Sequence, residues 1–144
     1  MNVHEKRKRL QNLGGKSVIY FGLLQLGLGI VVFIIEGGPG VLPLGLLGML
    51  LISTGATARQ GRVRGMVISL ILSVLWLAPL ILWSIGYADP GKDASGPHAD
   101  PLALERLPTF WIYVILTETW AFVNSVLMVA CLAASIERTE GGPQ

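Results

Sequence analysis

Long uninterrupted runs of apolar residues dominate the chain, and four of them are long enough to cross a lipid bilayer. They occupy residues 17–35, 41–58, 65–86 and 109–136. A hydrocarbon core about 30 Å thick requires about 20 residues of helix, so each run predicts one membrane-spanning helix. The runs lack the alternation of apolar and polar residues that strands of a membrane barrel show. The pattern therefore predicts an all-α fold, an integral membrane four-helix bundle.

The segments between and beyond these runs indicate how the chain is organised. Residues 1–16 form a basic arm, residues 17–136 form the four-helix transmembrane domain, and residues 137–144 form a short tail. The outer loop, 87–108, is the only connection of any size, and its prolines and glycines disfavour a long helix through its centre. We read the first apolar run as an uncleaved span, because it is longer than the apolar core of a signal peptide.

Composition agrees with this picture and excludes other classes of protein. Hydrophobic residues make up 52% of the 144 residues and charged residues 14%, where a soluble domain has roughly 25% charged residues. The mean hydropathy is +0.62. A small soluble domain could not bury so much apolar side chain, and a disordered segment would contain far less of it. The single cysteine excludes a disulfide-stabilised domain.

The positions of the basic residues predict the orientation. Nine of the eleven Lys and Arg fall on one side of the predicted spans, namely Lys6, Arg7, Lys8, Arg9, Lys16, Arg59, Arg62, Arg64 and Arg138. The positive-inside rule then places both termini in the cytoplasm and the outer loop outside, most simply at a plasma or cell membrane. The basic cluster Lys6–Arg9 is expected to contact anionic lipid headgroups, each cation contributing about 1 kcal/mol. We expect no nucleic-acid partner.

Glu118 is the only acidic or basic residue inside a predicted span, and such a residue suggests a function by default. Counting from Arg138 at 1.5 Å per residue places Glu118 about 30 Å from the cytoplasmic edge, whereas counting from Pro108 places it about 15 Å deep. Three roles stay open: a structural or partner-contact residue, which we favour, a residue in an ion or proton pathway, or a solvated interfacial carboxylate. The helical repeat places it on one face with Ala121 and Ser125, which we expect to pack inward.

Three further polar residues within the predicted spans are candidates for contacts between helices. Thr117 and Asn124 form a polar stripe on the fourth helix beside Glu118, and Gln25 lies on the first helix. Counted from the cytoplasmic side, Gln25 and Asn124 reach a similar depth. We therefore expect a Gln25–Asn124 hydrogen bond, and membrane bonds of this kind contribute about 0.6 kcal/mol on average.

Small residues indicate where helices pack, because helices in a bilayer associate by close approach rather than by the hydrophobic effect. Gly22, Gly27 and Gly29 give the first helix a small surface, and Ala121 with Ser125 gives the fourth helix another. We expect these surfaces to serve packing within the bundle, with contact to an oligomer or partner as the alternative.

No catalytic motif is present, and we expect neither an enzyme nor a cofactor. The sequence contains no HExxH, P-loop or GxSxG pattern. The acidic residues and His98 of the outer loop match no established metal-site spacing, so we expect no metal. Cys131 is expected to be a small packing residue.

The run GLLQLGLGIVV, followed by PLGLLGMLLISTGATA and a basic turn, resembles the membrane-spanning four-domain, sarcospan-like tetraspan family. The similarity covers roughly residues 20–64. It implies a tetraspan that is not an enzyme and that associates with itself or with receptors and channels. The outer loop departs from the family, since it lacks the cysteines that such proteins usually have there.

Two hypotheses of function follow from the sequence. In the first, the chain is a non-catalytic tetraspan membrane protein, an accessory subunit or interaction partner of a larger membrane complex. In the second, it forms a homo-oligomeric channel or small transporter with Glu118 in the pathway. The second requires several copies, because four short spans with one carboxylate cannot enclose a hydrophilic path.

Overall fold

The computed structural model describes residues 2–36, 42–84 and 108–140, and within them it contains four helices and no strand. The side chains at several helix ends fall outside the described set. The helices are α1 (Val3–Glu36), α2 (Leu42–Arg59), α3 (Val63–Ser84) and α4 (Pro108–Glu140). The prediction of an all-α fold is confirmed for the described residues.

The helices extend beyond the predicted apolar runs at two places. α1 begins at Val3, so most of the predicted basic arm is continuous with the first apolar run in one helix of 34 residues. Lys, Arg, Leu and Gln are good helix formers, and no proline interrupts this segment. α4 continues to Glu140, which brings part of the predicted tail into the helix.

A tight turn joins α2 to α3. Gly61 has a φ of +79°, a conformation that favours glycine. The Gly61 amide donates to Ala58 O, and the Arg62 amide donates to Thr57 O. These two bonds form a Schellman motif, which ends α2 and reverses the chain within a few residues.

Within the described part of the chain, two helices are long and apolar enough to cross a membrane, judged by length and composition. They are Val3–Val31 in α1, with a mean hydropathy of 1.3, and Val114–Ile136 in α4, with a mean hydropathy of 1.8. Leu44–Arg59 and Val63–Ala78 are apolar but shorter within the described residues. The core helix of a soluble protein can pass the same test. The exposure of apolar side chains around the bundle is therefore a second criterion for a membrane location.

Each helix packs against two others in an up-and-down bundle. α1 contacts α2 and α4, and α3 also contacts α2 and α4, with the most extensive interface between α1 and α2. The buried apolar core consists of a few side chains from all four helices, namely Val18, Phe21, Leu51, Ala58, Met66, Ala121, Met128 and Cys131.

The interior of the bundle is polar to an unusual degree. Among the described residues, seven polar ones are buried beside the eight apolar ones: Gln25, Thr54, Ser69, Ser73, Thr117, Asn124 and Ser135. Meanwhile every helix exposes large apolar side chains, such as Ile34 on α1, Leu46 on α2, Leu75 on α3 and Ile115 on α4. A soluble helical bundle instead places mainly polar residues on its outer surface and mainly apolar residues inside.

Candidate functional site: the polar interior and the basic end

Asn124 and Ser17 belong to a hydrogen-bond chain that joins α1 to α4, with Ser17 at its centre. Ser17 Oγ donates to Asn124 Oδ1 over 2.6 Å, and Trp120 Nε1 donates to Ser17 Oγ over 3.1 Å. Asn124 lies on the buried stripe of α4, whose spacing of three and four residues keeps one helix face inward. The prediction singled out Asn124 but not Ser17, which stands at the start of the first apolar run.

Three aromatic rings pack next to this chain of bonds. The Phe21 ring is 5.9 Å from Trp76 in an edge-to-face arrangement and 5.8 Å from Trp120 with tilted planes. Such ring pairs contribute about 0.5–1.5 kcal/mol beyond the area they bury. They connect α1, α3 and α4 around one fully buried phenylalanine.

The expected Gln25–Asn124 hydrogen bond is wrong. Asn124 Oδ1 accepts from Ser17, which lies about two helical turns from Gln25 on α1. Because α1 and α4 are antiparallel, pairing Ser17 with Asn124 brings Gln25 level with Thr117. Gln25 and Thr117 are both buried, and Thr117 Oγ1 donates to Val114 O over 3.1 Å. Counting from the ends of the apolar runs failed because α1 continues from Ser17 back to Val3, which places Leu10 beside Cys131 and the end of the fourth apolar run beyond the level of Ser17.

Glu118 is half-buried on the flank of α4 next to fully buried Ala121. Its Oε2 atom is shielded from solvent and has no hydrogen-bond partner among the described residues. Ser125, on the same face, is half-buried and donates to Ala121 O over 2.8 Å. The pairing of Asn124 with Ser17 places Glu118 six residues, about 9 Å, beyond the level at which the first apolar run begins. Of the two small residues predicted on the Glu118 face, Ala121 is buried and Ser125 is half-buried.

Glycines bring α1 and α2 into backbone contact. A Cβ added at Gly22 would lie 2.7 Å from Gly48 O, and one added at Gly29 would lie 3.2 Å from Gly45 N. Gly27, predicted with them, does not belong to this surface, because it is exposed and a Cβ there would meet no atom within 4 Å. Five residues turn an α-helix by about 140°, which carries Gly27 away from Gly22.

The sequence analysis missed a regular spacing of these glycines. Gly15, Gly22 and Gly29 stand seven residues apart on α1, and Gly48 and Gly55 do so on α2. A Cβ at Gly55 would lie 3.0 Å from Gly15 O. A seven-residue spacing keeps residues on nearly one side of a helix, so this signal was present in the sequence.

The basic residues gather at one end of the bundle. Lys6, Lys8 and Arg9 are exposed and Arg7 is half-buried, all on the first four turns of α1. Arg59 at the end of α2 joins them, since its Nε donates to Asn12 Oδ1 over 2.7 Å. The sequence analysis expected the first four to contact lipid but did not connect them with Arg59.

The remaining candidate site residues either pack in the core of the bundle or lie outside the described residues. Cys131 is fully buried, and its thiol is 3.5 Å from Leu10 O. Within residues 2–36, 42–84 and 108–140 no group of three His, Cys, Asp or Glu residues could hold a metal ion. The acidic residues of the predicted outer loop lie outside these ranges.

Comparison of the chain with protein-family models, with curated proteins and with solved structures finds no match.

Proposed function

We propose that this chain is a four-span integral membrane protein that acts without catalysis, as an accessory subunit or interaction partner of a larger membrane complex. The observation that carries the proposal is the apolar outer surface of the bundle. Large apolar residues face outward on all four helices, whereas the interior holds polar residues among the apolar ones.

The outward apolar surface supports a lipid environment. Ile34 is 76% exposed, Ile112 65% and Ile115 64%, and comparable residues surround the bundle. A soluble monomer rarely exposes contiguous apolar patches larger than a few hundred Å². In a bilayer such a surface meets lipid tails, and the Ser17–Asn124 hydrogen bond pairs two polar side chains between helices.

The filled interior supports an interaction role over a transport role for the single chain. Phe21, Leu51, Met66 and Met128 are fully buried, and the rings of Trp76 and Trp120 pack on Phe21. These side chains occupy the space that a path through one bundle would need. A subunit that binds through its outer face needs no such path.

The distribution of cations supports an orientation with both termini in the cytoplasm. The resemblance of residues 20–64 to the membrane-spanning four-domain family, if it extends to function, implies association with other membrane proteins or with further copies of this chain. The distribution of cations and the resemblance both favour a tetraspan membrane protein of this kind.

A homo-oligomeric channel or small transporter is the second candidate, and one observation favours it. The Glu118 Oε2 atom is shielded yet has no hydrogen-bond partner among the described residues. A carboxylate on the flank of α4 could complete its bonding in a neighbouring copy, where several chains together line a path.

Mass measurement after gentle detergent extraction tests the proposal. The tagged full-length chain is extracted from its native membrane, and native mass spectrometry determines what remains bound. A different membrane protein in fixed stoichiometry supports the accessory role. A homo-oligomer that conducts ions after reconstitution favours the second candidate, and a chain released from membranes by alkaline carbonate contradicts both.

A further inference from the structure

Gly15 brings the end of α2 against the basic end of α1. A Cβ added at Gly15 would lie 2.6 Å from Arg59 Cβ and 2.8 Å from the Arg59 backbone nitrogen. At this contact Arg59 Nε donates to Asn12 Oδ1 over 2.7 Å. A guanidinium has five N–H donors, so a bond through Nε leaves the four on its two Nη atoms for an anion.

Two adjoining grooves meet beside Arg59, and we call them together the basic groove. One, of about 500 Å³, is lined by Glu5, Lys8, Arg9, Asn12 and Arg59. The other, of about 460 Å³, shares two of these residues and is lined by Lys6, Arg9, Leu10, Asn12, Leu13 and Lys16. Five cations and one carboxylate line the basic groove, so it attracts an anion.

The part of the basic groove formed by Asn12, Leu13 and Lys16 lies close to Ser17, where the first apolar run begins, and so near the height of lipid headgroups. Asn12 lies about 7.5 Å before Ser17 along α1, and Leu13 about 6 Å before it. The headgroup layer of a bilayer is about 5–7 Å thick on each side. Leu13 is 59% exposed between the basic residues, which suits the boundary between headgroups and acyl chains. Glu5 lies at the far end, about 18 Å from Ser17.

We propose that the basic groove binds the headgroup phosphate of an anionic phospholipid. Arg59 is the principal donor, because a planar guanidinium bonds two phosphate oxygens at once. Asn12 is a positioning residue that holds Arg59 Nε. Arg9 and Lys16 supply further positive charge, and Leu13 meets the glycerol and upper acyl region, which a soluble phosphate lacks.

This inference rests on the membrane location in the proposed function and is tested separately from it. The full-length protein is reconstituted into vesicles of equimolar phosphatidylcholine and phosphatidylglycerol, then extracted gently. Native mass spectrometry counts the lipids retained by each chain. The wild type should retain phosphatidylglycerol in excess, and Arg59→Gln should lower that retention about tenfold.

Two further variants distinguish a built site from general positive charge. Asn12→Ala leaves the net charge unchanged and should still lower retention several-fold, since Arg59 loses its positioning bond. Arg64→Gln removes one exposed cation from α3 that lines neither groove, and it should retain lipid like the wild type. Gel filtration verifies that each variant remains folded and monodisperse.

Three results would overturn the inference. Equal losses in Arg59→Gln and Arg64→Gln would show that diffuse charge alone attracts the lipid. Displacement of phosphatidylglycerol by millimolar inorganic phosphate would assign the groove to a soluble anion. Equal retention of both lipids by a chain that resists carbonate extraction would refute the headgroup site while leaving the membrane location intact.

Discussion

Ser17 Oγ lies 2.6 Å from Asn124 Oδ1, and this hydrogen bond joins residues 107 positions apart in the chain. Ser17 accepts a second hydrogen bond from Trp120 Nε1 on the same turn of α4. The three side chains therefore fix the register of the first helix against the last. Sequence-distant pairs of this kind determine which of several helix arrangements a membrane bundle adopts.

Replacing Ser17 by alanine should destabilise the bundle modestly. The change removes the donor to Asn124 and the acceptor for Trp120, and membrane hydrogen bonds contribute about 0.6 kcal/mol on average and at most about 1.7 kcal/mol. We expect a loss in that range in the free energy of unfolding, measured by titration with sodium dodecyl sulfate in mixed micelles. Ser53→Ala, at an exposed position on α2, is the matched control and should have little effect.

A double-mutant cycle identifies the source of that loss. If Ser17 acts through Asn124, the double variant with Asn124→Ala should lose less than the sum of the single losses. Strict additivity would show that the two side chains are energetically independent despite their short separation.

The helices could be predicted from the sequence, but the pairing of their side chains could not. Uninterrupted apolar runs of about 20 residues determine where helices form, because only a helix satisfies its own backbone in a lipid environment. The partner of Asn124 depends on the register of two helices separated by the whole chain. Counting residues from predicted ends placed Gln25 opposite Asn124, and the pairing with Ser17 corrects that register by two turns.

The contact between α1 and α2 was predictable in part. A small surface that included Gly22 and Gly29 was expected, and both glycines lie in it. Gly27 was predicted to share this surface because it is close in sequence to Gly29. On the helix it points in a different direction from Gly22 and Gly29. The position of Arg59 beside Asn12 was beyond the sequence analysis, because it depends on how closely Gly15 lets the two backbones approach.

Gly22→Ala and Gly27→Ala form a matched pair on one helix with opposite expected outcomes. A methyl group at Gly22 would meet Gly48 O at 2.7 Å and Ile52 at 2.9 Å, so α1 and α2 must separate. Overpacking of this kind costs about 1–3 kcal/mol. Gly27 faces open space, and alanine there should leave stability unchanged or raise it by up to about 1 kcal/mol, because alanine favours the helix.

Thermal unfolding in detergent measures both variants under the same conditions. The expected result is a lower midpoint for Gly22→Ala and an unchanged or higher midpoint for Gly27→Ala. Equal midpoints would contradict the assignment of Gly22 to a close backbone contact.

Cysteine labelling tests the proposed orientation. Cys131 is fully buried and is first replaced by alanine, which gives a background without cysteine. In intact cells a membrane-impermeant maleimide should label a cysteine at Ser95, in the predicted outer loop. A cysteine at Gln60, exposed after α2, should react only once the membrane is permeabilised. Labelling of Gln60 but not Ser95 from outside would reverse the orientation.

Substitutions of Glu118 separate the two candidate functions. If Glu118 is a packing or partner-contact residue, Glu118→Gln should preserve assembly, because the amide keeps the shape and the capacity for hydrogen bonds. Glu118→Leu removes the polar group and should weaken the contact on α4 by about 1 kcal/mol. Sedimentation in detergent measures assembly, and Thr119→Leu, at the exposed neighbouring position, is the control.

Flux through reconstituted vesicles completes the comparison. A proton or cation pathway needs a group that titrates or neutralises a cation, which an amide cannot do. In that case Glu118→Gln should abolish flux as completely as Glu118→Leu, although its assembly is intact. That outcome would favour the oligomeric pathway over the accessory role. An absence of flux from well-assembled wild-type protein, together with loss of assembly in Glu118→Leu alone, would instead identify the Glu118 side chain as a contact between helices or subunits.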